Sequence, residues 1–81
     1  MDDSAFLQAL ETADLPEHIR RCVKLLPDRY AQIITLYYLK GINYDEIAQI
    51  MEIPMGTLKT WMFRARKQLR GIVEKEVYNN A

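Results

Sequence analysis

At 81 residues, 49% hydrophobic and 27% charged, the chain has apolar side chain enough for one modest core, which excludes a disordered tail, but too little length for an enzyme with a deep pocket. Its eleven Lys and Arg balance eleven Asp and Glu, but unevenly: residues 1–50 carry five basic against eight acidic side chains, and residues 51–81 six against three. No apolar run approaches the length of a membrane span, the acidic start MDDSAF lacks the basic region of a signal peptide, and the single Cys22 has no partner for an internal disulfide, so the expected setting is a reducing cytoplasm with no membrane. Cys22 reads as a buried structural thiol, since no second Cys supports redox chemistry and the only histidine, His18, lies one turn earlier.

In chain order, residues 1–13 hold Phe6, Leu7 and Leu10 at helical spacing and read as a linker or a short N-terminal helix. Asp14-Leu15-Pro16 is a helix start, because Asp caps and Pro is tolerated in the first turn. Ile19, Cys22, Val23 and Leu26 continue that helix at helical spacing until Pro27 ends it near Leu25 or Leu26. A second helix is predicted over residues 28–40. Its apolar residues, from Tyr30 through Ile33, Ile34, Leu36, Tyr37, Tyr38 and Leu39, cover more than one face, as in a helix sandwiched between neighbours with tyrosine hydroxyls at the core rim. Gly41 supplies a left-handed C-cap.

Asn43 and Glu46 have the spacing of a capping box, so a third helix is predicted to start at Tyr44, with Ile47, Ala48, Ile50 and Met51 on its buried side. Ala48 is small enough to let two steeply crossing helices meet. Glu52-Ile53-Pro54 is the turn, with Ile53 plugging the corner of the core. A left-handed Glu52 would cost on the order of 1 kcal/mol. The last helix is predicted from about Gly56 to Glu76 or Val77, weakened at Gly71 by roughly 1 kcal/mol. A short helix, a tight turn and a long basic helix over residues 43–70 form a helix-turn-helix, the pattern of a DNA reader.

At about 100° per residue the long helix has two sides. Leu58, Met62, Ala65 and Leu69 share a packing stripe. Thr57, Thr60, Phe63, Arg64 and Lys67 lie opposite, with Lys59 and Arg70 at one margin and Trp61 and Arg66 nearer the core boundary. From Lys59 to Arg70 there are five basic residues and no acid. Arg64 can pair bidentately with guanine O6 and N7, and Lys59 can donate to similar acceptors. Thr60 suits a base edge or a thymine methyl, and Phe63 a thymine methyl or a sugar. Thr57 and the free amides of the first turn favour a phosphate, and Arg66, Lys67 and Arg70 would grip the backbone further along. Taken singly, each residue also fits a plain solvated or packing role, with Trp61 as a half-buried packing residue. The conjunction of capping box, small crossing residue, proline turn and acid-free basic helix is what favours DNA.

These residues also carry a resemblance. Leu26-Pro27-Asp28-Arg29, Gly41, Tyr44 with Glu46-Ile47-Ala48, Ile53-Pro54 with Gly56-Thr57-Leu58-Lys59-Thr60, and Arg64-Ala65-Arg66 together resemble region 4, the C-terminal DNA-binding domain, of bacterial extracytoplasmic-function sigma factors. The resemblance spans residues 26–70. It implies binding of the −35 promoter element in transcription initiation, as part of a sigma factor bound to RNA polymerase. The partners it implies are double-stranded promoter DNA, the flap of the polymerase beta subunit and an anti-sigma factor. By position, Thr57, Lys59, Thr60, Phe63 and Arg64 would face DNA, with Arg66 and Lys67 near phosphate. Trp61 departs from the family, which commonly has Arg there. Nothing in the chain resembles region 2, which implies either an excised domain or a stand-alone sigma-like regulator.

The expected architecture is therefore an all-α, four- to five-helix, sigma region 4-like helix-turn-helix domain without a wing, spanning residues 14–78 with a tail at 79–81. No catalytic residues, metal ligands or cofactors are expected, since no carboxylate pair, metal-spaced cluster or activated nucleophile occurs. Two other readings stay open at this point: a helix-turn-helix regulator of the response-regulator kind, and a helical module that binds an acidic protein partner.

Overall fold

The computed structural model describes residues 17–79, with side chains through Glu76. Among the described residues there are four helices and no strands: α1 (Glu17–Val23), α2 (Asp28–Ile34) continued by a wider π turn (Thr35–Leu39), α3 (Tyr44–Met51) and α4 (Met55–Asn79). The all-α expectation holds. The readings of residues 1–13, of the Asp14-Leu15-Pro16 start and of the 80–81 end of the tail lie outside the described residues.

The first helix is short because its last turn tightens. Lys24, Leu25 and Leu26 donate their amides three residues back to Arg21, Cys22 and Val23, and Pro27 then forces extended backbone. Glu17 in the first turn and Arg20 and Arg21 in the last suit the helix dipole. The Pro27 carbonyl accepts from both Tyr30 and Ala31 at 2.9 Å and so opens α2 without a side-chain cap.

The sequence suggests one regular helix over residues 28–40, whereas the structure widens it after Ile34. The Lys40 amide donates to the Thr35 carbonyl five residues back, and Ile42 to Leu36 six residues back. The wider turn sets the adjacent Tyr37 and Tyr38 rings edge-to-face, with centroids 4.9 Å apart, and Tyr37 also meets Tyr44 of α3 at 5.0 Å. Packing of this tyrosine cluster replaces one regular turn. Gly41 then reverses the chain at φ 69°, as its position suggested.

Asn43 caps α3. Its Oδ1 accepts from the Glu46 amide at 2.9 Å, and its own side-chain amide donates to Glu46 Oε1 at 3.4 Å. At the other end Glu52 is left-handed (φ 56°, ψ 47°), with Ile53 donating to the Ala48 carbonyl and Glu52 to that of Gln49. The geometry that usually belongs to glycine is thus kept with a Glu. Glu52 is exposed, so Glu52→Gly removes strain without removing packing. It should raise stability by about 0.5–1 kcal/mol in urea denaturation, the relief being partly offset by a freer unfolded chain.

Pro54, whose carbonyl accepts from the Leu58 amide at 3.0 Å, opens α4 one residue earlier than expected, and the helix runs to Asn79 rather than ending near Val77. Gly71 lies inside it and does not end it. A Cβ at Gly71 would meet nothing within 4 Å. Gly71→Ala should therefore stabilise by about 1 kcal/mol and raise the melting temperature by roughly 4–8 °C in a thermal scan.

α4 is the spine against which α1, α2 and α3 pack. Leu58, Met62, Ala65 and Leu69 are each completely buried, as the periodicity suggested, against Ile19, Cys22, Val23, Leu26, Ile33, Ile34 and Ile47. Cys22 is 1% exposed, and burial, with Glu76 nearby, pushes its thiol above the ordinary value, so it is an inert core side chain. One core expectation fails. Ile50 is 56% exposed, because α3 turns inward the face that holds Ile47, Met51 and Ala48. Met51 and Ala48 lie about 40° and about 100° to one side of Ile47, and Ile50 about 60° to the other.

Candidate nucleic-acid interface

The sharp turn at Glu52 and the proline opening of α4 present the long helix with its first amides uncovered and its basic side outward. Lys59, Thr60, Phe63, Arg64 and Lys67 are all exposed there, and Thr57 is half-buried at the first turn. Lys59, Arg64 and Lys67 make no ion pair among the described residues, so their charges are available to an external anion. Phe63 is 67% exposed in the middle of this row. An apolar ring left out among cations has no role in the core, and it suits the methyl and sugar surfaces of a nucleic acid.

Two side chains have narrower chemistry than their types suggest. The Thr60 hydroxyl donates to the Gly56 carbonyl at 3.1 Å. Outward it therefore offers a methyl and oxygen lone pairs, which suit a thymine methyl or an exocyclic amine rather than a base acceptor. Arg70, expected to grip backbone, directs Nε to Glu74 Oε1 at 3.0 Å one turn along the helix.

Arg66 does not join the exposed row. Its Nε donates to the Tyr38 hydroxyl at 2.6 Å and its Nη2 to the Tyr44 hydroxyl at 3.1 Å, and the guanidinium lies 5.5 Å from the Tyr38 ring centroid. Burial works against its charge, but the two tyrosine oxygens more than offset this and hold its pKa above the ordinary guanidinium value. One side chain thus joins α4 to the π turn and to the first residue of α3, and so sets the crossing of the two helix-turn-helix members. Sequence reasoning placed Arg66 at the core boundary but missed this role. The available signal was a lone Arg on that border, opposite three clustered tyrosines. Trp61, on the other border, lies half-buried with the Arg29 guanidinium 5.0 Å from its ring centroid, a pairing that sequence did not suggest.

Away from this face, Ala31, Gln32, Thr35, Leu36, Ile50 and Met51 line an apolar groove between α2 and α3. None of these residues belongs to α4, and the exposed Ile50 stands at the groove. Among the described residues no group of His, Cys, Asp and Glu could hold a metal ion, and no helix is long and apolar enough to cross a membrane.

Comparison with known proteins agrees with this geometry. Residues 17–69 match the family model described as sigma-70, region 4. The chain is 44% identical over 52 residues to the ECF RNA polymerase sigma factor SigM of Bacillus subtilis (strain 168), a match covering 64% of this chain and 32% of that protein. It is 37% identical over 62 residues to SigW of the same organism, covering 76% of this chain and 33% of that protein. It is 38% identical over 61 residues to the ECF RNA polymerase sigma-E factor of Escherichia coli (strain K12), covering 75% and 32%. The chain thus spans about a third of the length of the curated relatives it matches. No solved structure matches it.

Proposed function

The chain belongs to the sigma-70 region 4 family, and from that membership we propose that it binds the −35 promoter element during transcription initiation, as part of a sigma factor bound to RNA polymerase. The observation that carries this reading is the exposed row on α4, where three cations with no ion pair among the described residues flank an exposed Phe63. In this reading Arg64, Lys59, Thr60 and Phe63 meet base edges and methyls, while Thr57 and Lys67 meet phosphates. Arg66 orients the helices through Nε and Nη2, which leaves Nη1 for a phosphate. The chemistry is recognition rather than catalysis, it needs no cofactor, and it takes place in the cytoplasm.

The apolar groove between α2 and α3 is the natural seat for the flap of the polymerase beta subunit, because its lining leaves α4 free for DNA. An anti-sigma factor covering the same groove would keep the domain from polymerase.

Selection of bound duplexes from a random pool, with and without core polymerase, tests the reading. One enriched sequence, captured more strongly with polymerase present, is the expected result. A pool that stays flat under both conditions overturns it. Affinity for the enriched duplex should fall with salt at a slope of about −0.9 for each phosphate neutralised.

A further inference from the structure

The exposed face of α4 has two borders. At about 100° per residue, Lys59, Arg66 and Arg70 fall on one, and Trp61 and Gln68 on the other. A helix lying in a major groove has a phosphodiester chain on each side, yet along residues 55–70 the second border carries no charge contributed by α4 itself, and Lys75 is the first cation on it. The structure fills this gap from another element. Arg29, in the first turn of α2, places its guanidinium over the Trp61 ring at 5.0 Å from the centroid. Arg29 is exposed and makes no ion pair among the described residues, not even with its neighbour Asp28.

We propose that Arg29, held against Trp61, is a phosphate contact for the DNA strand on the border opposite Lys59. This inference rests on the DNA-binding reading above and names a residue which that reading does not include. A guanidinium lying on an aromatic ring keeps its N–H edge free, and that edge matches two oxygens of one phosphate. Trp61 restricts where the long side chain can go, so less freedom is lost when the phosphate arrives. Trp61 is a positioning residue here, and Arg29 makes the contact. The contact carries no sequence information, because every nucleotide presents the same phosphate.

The test compares the whole chain with its variants on the duplex selected above, across a range of salt concentrations. Arg29→Gln should weaken binding about threefold to tenfold and make the salt dependence shallower by about 0.9, equally on matched and mismatched duplexes. Trp61→Leu should produce a similar loss of affinity, and the double variant should lose little more than either alone, as for two residues acting as one unit. Arg29→Gln combined with Trp61→Arg should restore the salt slope, since the charge returns to the same border. Thermal melting of each variant separates loss of contact from loss of fold. An unchanged slope in Arg29→Gln, with the parent chain still binding its site, overturns the proposal alone and leaves Arg29 as packing on Trp61. If the parent chain binds no duplex, the DNA-binding reading falls with it.

Discussion

Arg64→Ala is expected to weaken binding to the selected duplex by about 1–3 kcal/mol and to flatten preference at one base position. The side chain is exposed, makes no ion pair among the described residues, and lies on the α4 face opposite the wholly buried Met62. Its removal should leave helicity and melting temperature unchanged. Lys67→Ala is the natural contrast, because a phosphate contact is lost equally on every sequence and takes about one unit from the salt slope with it. Binding to matched and mismatched duplexes measures both. If Arg64→Ala behaved as Lys67→Ala is expected to, Arg64 would be a backbone contact and base reading would rest on Lys59, Thr60 and Phe63.

Arg66→Ala is expected to cost stability instead, by about 2–3 kcal/mol in chemical denaturation. It removes two charge-assisted hydrogen bonds, at 2.6 and 3.1 Å, and leaves the hydroxyls of Tyr38 and Tyr44 without them at the half-buried edge of the core. In a domain this size, whose total stability is on the order of 5–10 kcal/mol, that is a large fraction. Arg66→Lys should recover little, since one ammonium cannot reproduce a fork that reaches two oxygens on two elements. Tyr38→Phe should cost more than Tyr44→Phe, following the shorter bond. DNA affinity should fall alongside stability and equally on all sequences, because the crossing of α3 and α4 loosens while the reading side chains stay in place.

Much of the fold is visible in local sequence chemistry. Asn43 with Glu46, Gly41, and the Leu58–Met62–Ala65–Leu69 stripe each obey rules that operate within a few residues, and the structure follows all of them. The exposed row on α4 is legible for the same reason, since periodicity alone separates it from the stripe. What was not legible depends on residues far apart in the chain. The π turn after Ile34 follows from three tyrosines packing on one another across Gly41. Arg66 meets Tyr38 across 28 positions, and Arg29 meets Trp61 from a different helix. Ile50 was misplaced because a helix as short as α3 buries a narrower stripe than four apolar residues suggest. Side-chain type thus marks Arg66 as a cation, but only the tertiary structure shows that two tyrosines already occupy it.

The π turn also bears on how this chain tolerates changes in length. A five-residue stretch bonded five back holds one residue more than the same rise of α-helix needs. Removing a single residue between Thr35 and Leu39 can therefore be absorbed by relaxing to regular helix, without opening a gap in the backbone ladder. The cost is local rather than downstream. Four residues of regular helix turn through about 400°, close to what five residues of the wider turn cover, so the α3–α4 unit keeps its orientation. What changes is which side chains the turn holds together: a deletion that takes Tyr37 or Tyr38 removes their edge-to-face pair, and loss of Tyr38 also removes one bond of the Arg66 fork. The identity of those tyrosines, more than the number of residues in that segment, then fixes how the helix-turn-helix is mounted on the first half of the domain.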